Sequence, residues 1–221
     1  MKLLAIDTAT EACSAALHID GVTTTKYEVA PRKHAELILT MIDELLAESS
    51  LSLGQLDALA FGRGPGAFTG VRIATGVIQG LALSTDCPVV PVSTLAALAQ
   101  GAISESQQIA CALDARMGEV YWGLYQINED NIMQLVGEET VCLPDAVHIP
   151  ASNGWLGIGS GWETYEKELQ TRLAGSLSGF RPGDYPSAEA ISILGVDSYL
   201  RGEAVDAADA QPVYLRDKVT N

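Results

Sequence analysis

Phe61-Gly-Arg-Gly-Pro-Gly-Ala-Phe-Thr-Gly-Val-Arg-Ile-Ala-Thr-Gly-Val-Ile-Gln-Gly-Leu-Ala-Leu83 is the segment whose reading decides the fold. It predicts the end of a strand (Ala58 to Phe61), a glycine-rich turn from Gly62 to Gly70, and a helix from about Val71 to Leu83 that is apolar on most faces. Strand, turn and buried helix in direct succession are the unit of an α/β protein. Glycine lets a backbone approach another group closely, and a helix N-terminus can receive an anion. Asp7, Thr8, Gly64, Gly66 and Thr69 are therefore candidate nucleotide- or anion-binding residues. The other reading is a tight turn with Thr69 as helix N-cap and no ligand. No Gly-Lys-Ser/Thr follows, so the segment is not a Walker loop, and its spacing is not that of a dinucleotide fingerprint. Gly76 and Gly80 lie four apart on one helix face and cost about 1 kcal/mol each against Ala, which predicts another helix packed closely there.

Upstream, Leu3 to Asp7, Ala12 to Ile19 and Val22 to Val29 read as three antiparallel strands, the last two joined by the Asp20-Gly21 turn. A helix is expected from about Lys33 to Glu48. Its apolar residues Leu37, Ile38, Met41, Ile42, Leu45 and Leu46 form a stripe wide enough for its own sheet and a partner. Downstream come a short strand from Pro88 to Val92 and a helix from Ser93 to Gln100 capped by Ser93.

The pattern then restarts. Leu4 to His18 aligns without gaps on Cys111 to Tyr125, Asp7 falling on Asp114 at an offset of 114 − 7 = 107. A turn at Asn128 to Asn131, strands from Ile132 to Leu143 and Trp155 to Ile158, the Gly159-Ser-Gly161 turn and a helix from Trp162 to Leu173 follow. A last helix is expected from Ser187 to Arg201. Glu203 to Ala210 reads as an acidic linker, and Pro212 to Arg216 as an extended segment that docks back. A duplicated α/β unit follows, with lobes at 1–102 and 103–221 and a cleft between the copies.

Composition limits the chemistry. The 221 residues carry 13 Lys+Arg against 28 Asp+Glu, a net charge of −15. Residues 1–100 contribute 6 − 10 = −4 and residues 101–221 contribute 7 − 18 = −11. Nucleic-acid backbones are held by basic side chains that displace counterions, so direct tRNA binding by the chain alone is not expected. His18, His34 and His148 offer no closely spaced ligand pair, there is no Gly-x-Ser-x-Gly, and neither a metal nor another cofactor is expected. Four scattered cysteines read as small buried hydrophobes in a reducing compartment. No apolar run reaches about 18 residues, and a cytoplasmic protein without membrane contact is expected. On a duplicated fold of the actin and sugar-kinase type, Asp7 is where a magnesium-linked carboxylate would sit. The glycine wanted two residues later is Ala9 here, and hydrogen bonding within the turn is the competing role for Asp7 and Asp114.

Ile6-Asp-Thr-Ala-Thr10, Pro31-Arg-Lys-His-Ala-Glu36, Gly62 to Ile73, Gln79-Gly-Leu-Ala82, Asp114 to Tyr121 and Gln211-Pro-Val-Tyr-Leu-Arg216 together resemble the TsaB (YeaZ) family over the whole length. The resemblance implies a two-lobed fold of the actin-like ATPase (ASKHA, RNase H-like) superfamily. It also implies a role in forming threonylcarbamoyladenosine beside the anticodon of tRNAs that read codons beginning with A. In that role the family member is a non-catalytic subunit: it pairs with the paralogue TsaD, which transfers the group with the help of the ATPase TsaE. A homodimer through the same surface is expected when the chain is alone, because so much exposed apolar area is unusual on a monomer. The pairing surface is expected on Leu37, Met41, Leu45, Ile73, Gly76, Val77 and Gly80. Ala74 and Gln79 stand where the family pattern has Gly and Lys, so that helix is assigned no anion role. The alternative is an independent nucleotide-using enzyme or hydrolase of the same fold, glycoprotease-like in older descriptions of the family.

Overall fold

A computed structural model describes residues 1–216 of the chain. They form two compact units, residues 1–97 with 186–213, and residues 98–185 with the segment from Tyr214 onward.

In the first unit, β1 (Lys2–Asp7), β2 (Ala12–Ile19) and β3 (Val22–Val29) are antiparallel neighbours, and the Asp20-Gly21 turn carries positive φ at both residues, as the sequence predicts. Helix α1 (His34–Glu48) leads to β4 (Ala58–Gly62), α2 (Phe68–Thr85), β5 (Val89–Val92) and the first four residues of α3 (Thr94–Gly101). The sheet order is β3-β2-β1-β4-β5, with β4 parallel to β1 and β5. Alternation sends Leu4, Ile6, Leu59 and Phe61 to the face covered by α1 and α2, where they join Ile38, Ile42, Leu45, Ala74 and Ile78 in one core. Ser93 does cap α3, its hydroxyl accepting from the Leu95 and Ala96 amides. Thr69 does not cap α2. That helix begins a turn earlier, with Ala67 at the N-cap, because the Ala67 amide donates to Ala9 O at 2.7 Å and the β1–β2 turn fixes the start.

The second unit repeats the plan. β6 (Gln108–Arg116), β7 (Glu119–Ile127) and β8 (Met133–Cys142) are antiparallel; β9 (Trp155–Gly159) is parallel to β6 and to β10 (Leu177–Pro182). Its order, β8-β7-β6-β9-β10, is that of the first sheet with β6 in the place of β1. The offset of 107 thus marks a structural duplication, the actin-like, RNase H-like two-lobed α/β fold. The helix expected from Trp162 to Leu173 is two helices, α4 (Ser160–Thr164) and α5 (Glu166–Arg172), broken where Tyr165 takes φ −125, ψ 36. β10 had no signal in the sequence because Gly179, Arg181 and Pro182 interrupt its alternation.

The division at residue 102 is corrected by α6 (Ala188–Leu200), which follows β10 in the chain yet packs on the first sheet. Leu3 and Ala60 need cover on the face opposite α1 and α2, and Gly195 lets α6 approach until a Cβ there would lie 2.9 Å from the Ala60 Cβ. The Ala188 amide donates to Ser14 Oγ at 2.9 Å. The acidic tail is not a free linker either. Val205 exchanges both backbone hydrogen bonds with Val89 at the edge of the first sheet, and Ala210 is fully buried with its carbonyl receiving Gln79 Nε2. Val213 N then donates to Arg63 O, so the expected docking of the Pro212 segment is present. Cys13, Cys87 and Cys111 are buried, Cys142 half-buried, and all four are free thiols. Among the described residues no helix is long and apolar enough to cross a membrane.

Candidate functional site

Two features of the first unit draw the sequence-predicted residues together: the carboxyl ends of its parallel strands and the outer face of α2. At the strand ends Asp7 is 1% exposed. Its Oδ1 accepts from the Ala9 amide at 2.8 Å, and its Oδ2 is buried without a partner among the described residues. Asp114 accepts from the Arg116 amide in the same i to i+2 arrangement and is further paired with the Arg116 guanidinium. Both aspartates therefore tie down their strand-to-strand turns.

The glycine turn does not form an open cradle. A Cβ on Gly70 would overlap the Thr8 carbonyl oxygen, one on Gly66 would overlap the Ala9 carbonyl, and one on Gly64 would stand 2.8 Å from Val213 O. Gly64, at φ +97, also needs a backbone that L side chains rarely adopt. The Thr8 hydroxyl is committed to Gly70 O at 2.7 Å. The close approaches that glycine permits are thus filled by this chain's own backbone, and of the five candidate anion-binding residues only Thr69 is exposed. Among the described residues no group of three or more His, Cys, Asp or Glu is placed to hold a metal ion.

Burial pushes the Asp7 carboxyl up to about 7, although the Ala9 amide pulls it back. In the unfolded chain it would titrate near 3.8. The folded state therefore holds the proton more tightly, and its stability falls as pH rises from about 4 through about 7. Asp7→Asn keeps a carbonyl acceptor for Ala9 and cannot ionise. Relative to the wild type it should gain about 2–3 kcal/mol between pH 5 and pH 8 in urea unfolding. Parallel stability profiles for the two proteins would show that Asp7 ionises freely in the fold.

On the α2 face the sequence expectation is half corrected. Leu45 is fully buried and Met41 only 7% exposed, both in the core beneath α1, and Leu37 is half-buried. The wide α1 stripe is spent on its own sheet and on α2, and Met41→Asp would bury a charge rather than probe a surface. On α2, Ile73 and Val77 are half-buried while Gly76 and Gly80 are exposed, and a Cβ on either glycine would meet nothing within 4 Å. No helix of this unit packs there. The outward strip also holds Phe68, 53% exposed under the Arg72 guanidinium at 3.7 Å, and Leu83, 72% exposed. Sequence reading missed Phe68 because the helix was started at about Val71, and it passed over Arg72 and Leu83, which lie within the expected helix, because exposed residues of an apolar helix leave no sequence signal distinct from core ones.

Comparison with known proteins identifies the family. A family model described as TsaD, tRNA N6-adenosine threonylcarbamoyltransferase, matches residues 21–219. The chain is 42% identical over 228 residues to the tRNA threonylcarbamoyladenosine biosynthesis protein TsaB of Escherichia coli K12, with 99% of this chain and 96% of that one covered. It is 41% identical to the protein of the same name from Haemophilus influenzae over 232 residues, covering 100% and 95%. YeaZ from Pseudomonas aeruginosa has a solved structure that superposes with a TM-score of 0.90 at 47% identity, over 97% of this chain and 99% of that one.

Proposed function

The chain belongs to the TsaB family, and on that premise we propose that it is the non-catalytic subunit that pairs with a TsaD-type paralogue in the formation of threonylcarbamoyladenosine in tRNA. The observation that carries the reading is the outer face of α2. Gly76 and Gly80, one turn apart and bare, make a shallow groove flanked by Ile73, Val77, Phe68 and Leu83. Two glycines in the exposed middle of an 18-residue helix weaken it, and they are useful where another helix must come close. The partner is the paralogue's equivalent helix, with a second copy of this chain using the same face when the paralogue is absent.

Three properties support a subunit without chemistry of its own. Its Asp7 is 1% exposed, with the Gly62 backbone so close that a Cβ there would overlap Asp7 Oδ2 and meet Ile191 of α6. Both ring nitrogens of His18 are engaged in the β2–β3 hairpin, with Thr23 Oγ1 at 3.0 Å and the Gly21 amide at 3.2 Å, so it does not serve a nucleophile. The net charge of −15 leaves tRNA contact to the partners. The paralogue then carries the transfer, a TsaE-type ATPase serves the cycle, and this chain supports the paralogue's active conformation through the helix contact.

The test is a drop-out reconstitution: TsaD- and TsaE-type partners and the enzyme that makes threonylcarbamoyl-AMP, with threonine, bicarbonate, ATP and unmodified tRNA, with and without this chain. Threonylcarbamoyladenosine, read by mass spectrometry of nucleosides, is expected only when the chain is present. Equal product without it sinks the proposal. So does steady peptide or ATP cleavage by the purified chain that is lost on Asp7→Ala.

A further inference from the structure

A strand at the end of a sheet presents a row of main-chain donors and acceptors, and native folds guard such rows. Three of the four sheet edges here are guarded. β5 is covered by the tail, Val205 exchanging both main-chain hydrogen bonds with Val89. β8 carries a bulge, with Gly137, Glu138 and Glu139 opposite the single residue Gly123, and β10 has an irregular register at Gly179 and ends in Pro182. β3 has none of these devices. Its eight residues, Val22-Thr-Thr-Thr-Lys-Tyr-Glu-Val29, pair with β2 in unbroken register, contain no glycine or proline, and among the described residues form the outermost strand of the first sheet.

The hydrogen-bonding parity of β3 is fixed from both ends. Ala30 N donates to Glu11 O, and the two-residue Asp20-Gly21 turn joins Ile19 to Val22, so the even-numbered residues of β3 bond to β2. Thr23, Thr25 and Val29 therefore turn their main-chain N–H and C=O away from the sheet. The side chains divide by the same alternation. Thr24, Lys26 and Glu28 stand opposite Leu17, Ala15 and Cys13, on the face that α1 covers, and Thr23, Thr25 and Val29 lie on the other face. A lysine on an edge commonly bars an incoming strand. Lys26 does not, because its Nζ is held by Glu44 at 3.3 Å and Glu48 at 2.5 Å on α1. With Glu28 exposed on the same side, the α1 side of the edge holds three carboxylates against one ammonium, 1 − 3 = −2.

We propose that β3 is a docking edge for an extended segment of a partner protein in which basic and β-branched residues alternate. The segment adds a sixth strand to the five of the first sheet, exchanging main-chain hydrogen bonds with Thr23, Thr25 and Val29. Its Lys or Arg side chains lie along Glu28, Glu44 and Glu48, and its β-branched ones along Thr23, Thr25 and Val29. The uncompensated negative charge selects this occupant over a second copy of the chain, since two edges of one sign repel. Nothing here involves α2, so the docking edge stands whether or not the pairing proposal does.

The probe is the synthetic peptide acetyl-TKVRVKT-amide, titrated into ¹⁵N-labelled full-length protein while the backbone amide peaks are read by NMR. The amides of Thr23, Thr25 and Val29 should move downfield and exchange with solvent more slowly, with half-saturation on the order of 1 mM for so short a segment. Those of Thr24, Lys26 and Glu28, already bonded to β2, should move far less. The acidic acetyl-TEVEVET-amide and the rearranged acetyl-VVTTKRK-amide should each bind at least about tenfold more weakly. Thr25→Pro removes an outward N–H and no bond to β2, so the protein should fold and bind the probe at least about tenfold more weakly. Glu28→Lys, at an exposed position, keeps the fold in any case and should weaken binding about fivefold. Undiminished binding to a folded Thr25→Pro or to Glu28→Lys overturns the docking edge, as do shifts that fail to alternate along β3 or an acidic peptide that binds as well as the basic one. The same alternating shifts on concentrating the chain alone would make a second copy the occupant and overturn the proposal equally. No shift up to about 5 mM probe overturns it outright.

Discussion

Gly70→Ala should melt about 10 °C below the wild type, the largest stability loss expected of any single methyl group in the first unit. The added Cβ would coincide with the Thr8 carbonyl oxygen, and Thr8 returns its hydroxyl to Gly70 O at 2.7 Å, so helix and turn are held from both sides. Neither can retreat cheaply. Thr8 directly follows β1, the central strand of its sheet, and the α2 start is pinned by the Ala67 to Ala9 hydrogen bond. Overpacking against backbone costs about 3 kcal/mol here, at the upper end of the usual range, because no side chain can rotate out of the way. For a unit of this size that is a shift of roughly 10 °C. Gly76→Ala is the paired control. It adds the same methyl group six residues along the same helix, where nothing lies within 4 Å, and should raise stability by up to about 1 kcal/mol through helix propensity alone. Scanning calorimetry of both decides the matter. A Gly70→Ala protein that melts with the wild type would mean that the turn yields, and that its glycines are not required for close packing.

Gly76→Arg should leave the protein folded and abolish pairing, lowering affinity for the TsaD-type partner by at least about 100-fold. The fold survives because the position is exposed and the new side chain runs into solvent. Pairing does not, because a helix lying in the groove between Gly76 and Gly80 would have to admit a guanidinium and its stem at the point of closest approach. A buried cation without a partner costs several kcal/mol, and each 1.4 kcal/mol is tenfold in affinity. Co-elution on size exclusion reads the heterodimer, and light scattering across a concentration series reads the homodimer. Both should be lost together, and the drop-out reconstitution should fail with this variant. A Gly76→Arg protein that still pairs places the interface elsewhere. Leu83→Asp, at a position 72% exposed on the same strip, should weaken pairing in the same direction by about tenfold.

The first sheet was legible from its sequence almost to the residue. β2 and β3 begin and end where alternation and the Asp20-Gly21 turn put them, and the alignment of Asp7 with Asp114 foretold two sheets of one topology. Those signals are local or repetitive: side-chain period, turn chemistry and an internal copy are properties of neighbouring residues. Contacts between distant segments left no such mark. Periodicity showed that α1 has an apolar stripe, but only the packing of α2 beside it turned Met41 and Leu45 inward, away from a partner. The same packing left Gly76 and Gly80 bare on the outer surface, where the sequence said only that something small was wanted.

The Gly62 to Gly70 turn divides the matter most sharply. Its composition dictated a close approach of backbone to something, because glycine without a Cβ is the residue that allows one. What approaches was settled in three dimensions: Thr8 and Ala9 from the β1–β2 turn and Val213 from the tail, over 140 residues away in the chain. The sequence alone determined the α/β units, their duplication and the presence of a tight glycine turn, since each follows from residues close in the chain. Only the tertiary structure decided that α6 covers the first sheet, that the tail closes the turn, and that the apolar stripe of α1 turns inward while the glycine face of α2 lies outward. Each of these depends on which distant surface reaches a group first, and chain order does not encode that.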